Sequence, residues 1–408
     1  MITEICYLDP MQIGFVAPMN VSAGGLFVAY KHAHHLKEVG HDVSIVFVSA
    51  EKGLSVSLYP NFSLKTTTLS AAAVEINKYD VVIATWWETY FDMFRIPSSH
   101  YFYFCQSDER RFYTDESRVE PLFVELTYIE KQVGFITEAK WIKNWLETDY
   151  GVTVKYAPNG VDTQLFNPNV KPIIPKLGKV RVLIEGPGSI SYKKIDLAFK
   201  VTNQFKDIEV IYVSNDGIVK PEWRYDHLFT MVPLHEMPAI YTSCDILVKL
   251  SSVEGFFGPP LEMMACGGTA VVSNVTGFDE YIVDGKNALV VPLDDEIKTT
   301  IALKKLIEDT SLRKQLSENG IQTAKELDWK SRLPLFASAI DELCVRPTFA
   351  SNEFRYRNII LGQIKDNSVK RREIEQRLIT VENLINKVAS LGIFRAYRYL
   401  KNKIKFSS

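Results

Sequence analysis

The feature that most limits what this chain can fold into is its opening alternation of strand, turn, helix and strand. Residues 12–17 (QIGFVA) form a short apolar run, and 18–25 (PMNVSAGG) is a loop of small residues. Leu26, Ala29, Tyr30, Ala33 and Leu36 then repeat at helical spacing up to a stop at Gly40, and 43–48 (VSIVFV) is apolar again. Such a βαβ unit implies a parallel sheet with helices on its faces. The pattern continues through strand candidates at 80–84, 101–105, 133–137 and 154–157, with a helix expected at 141–150. Beyond the proline- and lysine-bearing stretch 171–179 a second series begins, with strands expected at 180–184, 209–213, 228–231, 246–250, 269–273 and 288–291. Helical patterns lie between them at 237–243 and 260–265 and follow at 296–308 and 311–327. Two successive α/β domains of similar size are the simplest account.

Composition narrows the class further. With 46% hydrophobic and 24% charged residues, the chain is neither disordered nor a disulfide scaffold. Its five cysteines form no CxxC pair, which points away from a zinc site and toward small buried thiols in a reducing compartment. The first ten residues lack the basic and apolar regions of a leader, and no apolar run approaches the ~18 residues of a membrane span. A cytoplasmic protein is the expectation. The net charge of −2 argues against a nucleic-acid binder.

The segment richest in chemistry is 251–268, SSVEGFFGPPLEMMACGG. A strand leads into Glu254, a glycine turn, prolines suited to a first helical turn, and Glu262 within that helix. The N–H groups around Phe257, Gly258 and Leu261 are expected to form an anion site at the positive helix end. Two carboxylates eight residues apart flank it, one to reach a ribose and the other a hexose hydroxyl. A solvated loop with two surface glutamates is the plain alternative.

This spacing resembles the E-x7-E motif of family 4 glycosyltransferases. PNGVDTQLFNP (158–168) is similar to the family's linker, and SYKKIDLAF (191–199) to its lysine-bearing segment. The stretch 230–295 carries the likeness most strongly, within a resemblance spanning about 12–340. The resemblance implies the GT-B fold, two facing Rossmann-like α/β domains with a cleft between them. The boundaries expected are 1–168 for an acceptor-side domain, 169–345 for a nucleotide-sugar donor domain, and 346–408 for a helical basic tail.

It also implies roles. Glu262 binds the ribose of the nucleotide and Glu254 contacts the donor sugar. Lys193 neutralises the diphosphate, while Gly24 and Gly25 match a glycine loop approaching it from the other domain, although a plain tight turn needs glycine too. Two departures stand out. Where the family often has an arginine before the lysine, this chain reads Glu185-Gly-Pro-Gly188, leaving the phosphate to Lys193 or Lys194 and backbone N–H groups. Where it often has a histidine, the chain reads Phe104-Cys-Gln-Ser-Asp108, with Gln106 or Asp108 as substitutes. The implied activity is retaining, metal-independent transfer from a nucleotide-diphosphate sugar to a glycan or lipid-linked acceptor, with no bound cofactor. No D-x-D or metal-ligand cluster is visible in the sequence. Nucleotide-sugar epimerases, phosphorylases and non-catalytic sugar-nucleotide binders with the same fold remain as alternatives.

The aromatic stretch 85–115 reads equally as an acceptor platform, through Trp87, Asp108, Glu109, Arg110 and Arg111, or as core with a charged loop. Trp86 and Trp87 are adjacent, so in a strand only one would face the core. His32, His34 and His35 are expected at the surface. From Arg346 the chain carries 14 basic and five acidic residues, so near-neutrality hides an acidic body and a basic tail. Ile374, Leu378, Val381, Ile385 and Val388 form a short heptad seam, a candidate for self-association through 374–391. Residues 391–408 form a basic amphipathic pattern suited to an anionic membrane surface, which would place the enzyme peripherally on the inner face. Packing on the protein's own core is the third reading of this tail.

Overall fold

The computed structural model describes residues 9–18, 24–49, 63–75, 78–113, 119–175, 178–345 and 351–390. The first domain has strands β1 (Gln12–Ala17), β2 (Asp42–Phe47), β3 (Lys65–Thr68), β4 (Tyr79–Ala84), β5 (Ser98–Cys105), β6 (Gly134–Thr137) and β7 (Val154–Tyr156). Between them run α1 (Gly24–Glu38), α2 (Leu69–Val74), α3 (Trp87–Met93), α4 (Glu120–Leu126) and α5 (Lys140–Tyr150). All seven strands are parallel, in the order β3-β2-β1-β4-β5-β6-β7.

The second domain repeats the plan. Its strands are β8 (Val180–Glu185), β9 (Ile208–Ser214), β10 (His227–Thr230), β11 (Ile246–Lys249), β12 (Thr269–Ser273) and β13 (Leu289–Val291). They form a parallel sheet in the order β10-β9-β8-β11-β12-β13. Helices α6 (Ile195–Thr202), α7 (Met237–Tyr241), α8 (Gly258–Ala265), α9 (Glu296–Glu308) and α10 (Thr310–Glu326) accompany it. In each sheet the strand order reverses beside the first strand, at β1/β4 and at β8/β11. Doubly wound sheets hold ligands in the crevice beyond the carboxyl ends of the strands at such a point.

The buried strands are apolar on both faces, as parallel strands covered by helices must be. The periodicity located them to within three residues, whereas the polar, half-buried β3 was not anticipated. Less legible were the short helices α2, α3 and α4, whose apolar spacing extends over barely two turns. Trp87 is a correction. It opens α3 rather than sitting in a strand, and its side chain is fully buried, its Nε1–H donating to the Tyr113 hydroxyl at 2.9 Å.

A larger correction concerns the chain's end. Helix α11 (Trp329–Cys344), expected within the second domain, packs on the first, where Phe336, Ala337, Ala339, Ile340 and Leu343 join the cluster of β1, β2 and α1. The outgoing and returning segments pair side by side where they cross. The Val161 N–H donates to the Leu327 carbonyl at 2.9 Å and the Trp329 N–H to the Val161 carbonyl at 3.1 Å. The return of α11 also buries His32, expected at the surface. Its ring stacks on Phe336 with centroids 4.0 Å apart, and burial depresses its pKa to about 3.

Helix α12 (Asn352–Ser390) continues along the first domain. Phe354 is buried in that domain's core, Arg355 donates to the Phe94 carbonyl at 3.1 Å, and Arg357 and Arg372 pair with Glu130 and Glu120. Up to Arg372 the tail therefore packs on the protein's own core. Of the heptad seam, the Ile374 side chain is described and is exposed, and the membrane candidate 391–408 lies outside the described residues.

Candidate active site

The reversal point of the second sheet holds a buried charged cluster. Glu185 ends β8 and Lys249 ends β11, and the register sets Val248 opposite Ile184, so the two side chains emerge together. Lys249 Nζ donates to the Glu185 carbonyl at 2.8 Å and lies 3.8 Å from its carboxylate. The short turn after β8 brings Lys193 to Glu254, Nζ to Oε1, at 2.8 Å. Both side chains of this pair are mostly shielded from solvent. Helix α8 presents Glu262, and the Tyr241 hydroxyl bridges Glu262 (2.9 Å) and Glu185 (2.8 Å).

Burial governs the electrostatics. It raises the Glu262 pKa to about 7, with the neighbouring Glu185 adding to the effect. It would depress Lys193, but the Glu254 carboxylate outweighs it and holds Lys193 above its ordinary value. Lys249 is depressed, because it is fully enclosed and Lys193 opposes it while the glutamates compensate only in part. Two lysines among three glutamates make a site that can exchange internal ion pairs for bonds to an anionic, hydroxyl-rich ligand.

The sequence expectations fare unevenly here. Lys193, Glu254 and Glu262 do converge. Lys194 does not, since its left-handed backbone (φ 54°) turns the side chain to Asp294 at 2.8 Å. The start of α8 is not an open anion site. The Phe257 side chain is buried in the core, and the Gly258 N–H is bonded to the Phe256 carbonyl at 3.0 Å. Pro259 and Pro260 have no N–H, and the Tyr281 hydroxyl closes on the Phe257 carbonyl. Glu185, Lys249 and Tyr241 were missed. A lysine closing an apolar strand is the one signal that pointed to them.

The first domain faces this cluster across the cleft. Gly24 and Gly25 open α1, and a Cβ on Gly25 would sit 3.0 Å from the Gln106 amide. A Cβ on Gly255 would sit 1.8 Å from the Gln106 carbonyl oxygen, so Gly25, Gln106 and the Glu254 loop lie in succession. Arg111 spans the cleft, donating to Thr276 Oγ1 (2.7 Å) and the Ser252 carbonyl (3.0 Å). Trp141 Nε1–H reaches the Gly255 carbonyl at 2.9 Å. The remaining acceptor-side candidates turn inward. Asp108 and Arg110 pair with each other at 2.8 Å over the rings of Tyr128 and Trp145, and Trp87 is core. Glu109 is buried too, accepting from the Trp87 N–H and the Tyr103 hydroxyl, and burial raises its pKa to about 8.

Glu138 ties the two domains together. Oε1 accepts the Phe256 N–H at 3.0 Å and Oε2 the Asn159 amide at 2.6 Å, while burial lifts its pKa to about 8. A carboxyl whose folded pKa lies above its unfolded value favours the protonated folded state. Its contribution is thus full at low pH and is lost as pH rises toward 8. Glu138→Gln is expected to match the wild type at pH 5 and to exceed its stability at pH 8.5 by about 1–2 kcal/mol. The glutamine amide can meet Asn159 Oδ1, which has no partner in the structure. Denaturant titrations at both pH values test this, and a constant difference between them would refute it.

Comparison with known proteins fits this geometry. Residues 227–323 match the family model described as glycosyl transferases group 1. An uncharacterized glycosyltransferase of Methanocaldococcus jannaschii is 28% identical over 203 residues, 48% of this chain and 55% of that protein. The O-antigen chain mannosyltransferase B of Escherichia coli is 32% identical over 100 residues, 24% of this chain and 26% of that one. The chain thus spans about half of the first relative's length and about a quarter of the second's. Among solved structures, Anabaena HepE in complex with UDP-glucose superimposes with a TM-score of 0.67 at 13% identity, covering 81% of this chain and 100% of that one. Sucrose-phosphate synthase from Thermosynechococcus elongatus gives 0.66 at 14% identity, covering 82% and 100%. The part of the second domain that bears Glu254, Glu262 and Lys249 is thus the part that matches the group 1 glycosyl transferase model, set in a chain with the GT-B fold.

Proposed function

We propose that this chain is a retaining glycosyltransferase, moving a sugar from a nucleotide-diphosphate donor to a glycan or lipid-linked acceptor in surface polysaccharide or glycolipid biosynthesis. The observation that carries the reading is the buried Lys193–Glu254–Glu262 cluster at the reversal point of the second sheet, opposite Gly25 and Gln106. The matched region and the glycosyltransferase relatives support it. Departure of a nucleoside diphosphate concentrates negative charge on phosphate oxygens. Preorganised cations in a water-poor cleft are the cheapest way to stabilise it. Lys193 performs this role without a metal ion. Glu262, shielded and near its midpoint at neutral pH, binds the ribose hydroxyls, and Glu254 reaches the sugar once Lys193 turns to phosphate. The protein works in the cytoplasm, peripherally at the inner face of the membrane.

Binding decides the matter. Calorimetry with uridine, guanosine, thymidine and adenosine diphosphates is expected to give saturable binding of at least one. Glu262→Ala is expected to weaken it about 10-fold or more, the value of a charge-assisted hydrogen bond. No binding by the wild type would sink the reading, and unchanged affinity in the variant would remove the ribose role from Glu262.

A further inference from the structure

Lys249 is the cation of the cluster that the proposed reaction leaves without a task. It ends a strand whose four residues are all buried, and it is itself only 3% exposed. Enclosing an ammonium group is costly, and a buried ion pair seldom stabilises a fold more than an apolar side chain of the same size. Nor is the lysine needed to join β8 to β11, which already pair through backbone hydrogen bonds. Among the described residues its one hydrogen bond, to the Glu185 carbonyl, uses one of three donors.

Its position is informative. The residue after Glu185 is Gly186, with φ 139°, a backbone that side-chain-bearing residues rarely adopt. A Cβ built there would lie 3.3 Å from Ile195 Cδ1, 3.7 Å from Lys249 Nζ and 3.7 Å from Lys193 Cβ, so both lysines border the Gly186 backbone, with Ile195 beside them. The facing charges are Glu185, Glu254, Glu262 and Lys193, and the glutamates partly offset the repulsion between the two cations. This is also the stretch where the resembling family often carries an arginine and this chain reads Glu-Gly-Pro-Gly.

We infer that Lys249, reaching over Gly186 from the neighbouring strand, is the second cation for the donor's diphosphate and takes the place of the missing arginine. The inference rests on the proposed glycosyl transfer. The cation is supplied from the strand on the far side of the reversal point, so the nearby sequence gives no sign of it. A lysine there is a point charge without an arginine's fork, which suits a diphosphate that moves as it leaves.

The test compares each nucleoside diphosphate with its parent nucleoside by calorimetry, in the wild type, Lys249→Met, Lys249→Gln and Lys249→Arg. Loss of one charge-assisted contact is expected to weaken diphosphate binding by about 10- to 100-fold in the methionine and glutamine variants. Nucleoside affinity stays within about twofold, and the arginine variant recovers most of the loss. Equal weakening of nucleoside and diphosphate would show that Lys249 only shapes the pocket, and unchanged diphosphate affinity would show that it does not touch the phosphates. Both overturn the inference. Should the methionine variant fail to fold, the glutamine and arginine pair decides alone, because glutamine keeps a donor for the Glu185 carbonyl without the charge. Absence of any diphosphate binding by the wild type would instead overturn the reaction itself, and the role of Lys249 with it.

Discussion

Lys193→Met is expected to lower kcat/KM for sugar transfer by about 10²- to 10³-fold, the usual result of removing one preorganised charge aimed at the transition state. Two effects add. The leaving phosphate loses its cation, and the Glu254 carboxylate, 2.8 Å from Lys193 and 11% exposed, is left in a low-dielectric site without its partner. The second effect makes the substitutions interdependent. Lys193→Met and Glu254→Gln together are expected to cost far less than the product of the separate losses. Steady-state kinetics of the two single variants and the double variant measure this directly. Multiplicative losses would mean that the ion pair has no part in the chemistry.

Gly255→Ala is expected to cost about 10²-fold in kcat, comparable to a displacement of one ångström at a reacting centre. The added methyl would lie 1.8 Å from the Gln106 carbonyl oxygen and 2.9 Å from Glu138 Oε1, both belonging to the opposite domain. Neither can be relieved by a rotamer change at residue 255. The domains must part or the Glu254 loop must shift. The clash lies between two separately packed cores, so melting should change little while small-angle scattering shows a wider molecule. The Trp141 bond to the Gly255 carbonyl supplies a local signal in its fluorescence. Full activity in this variant would mean that the closed arrangement is not the working one.

The parts of the molecule that were legible beforehand were those fixed by local pattern. Apolar runs such as 80–84 and 269–273 can be little but buried parallel strands, and the segment around Glu254 carries its own strand, turn and helix signals. What was hidden depends on residues far apart in the chain. Lys249 meets Glu185 only because β11 crosses over to lie beside β8, and His32 is buried only because α11 returns from three hundred residues away to stack Phe336 on it. Arg111 showed the same limit in reverse. Within a run of charges it reads like Arg110, yet one spans the cleft to Ser252 and the other folds back on Asp108. Composition cannot separate them, because the difference lies in what stands opposite.

The return of α11 and α12 also bears on how the chain is made. Phe336, Ile340, Leu343 and Phe354 complete the core of the first domain, yet they leave the ribosome after every strand of the second. Chains of this size usually finish their domains in order of synthesis, N-terminal first. Here the seven-stranded sheet must wait, with the side of β1 and α1 that α11 will cover still exposed, while the six-stranded one emerges whole. The domain begun first is the last to be finished. A nascent chain whose emerged part ends after α10, at Glu326, should therefore hold a folded second domain beside a first domain in need of protection.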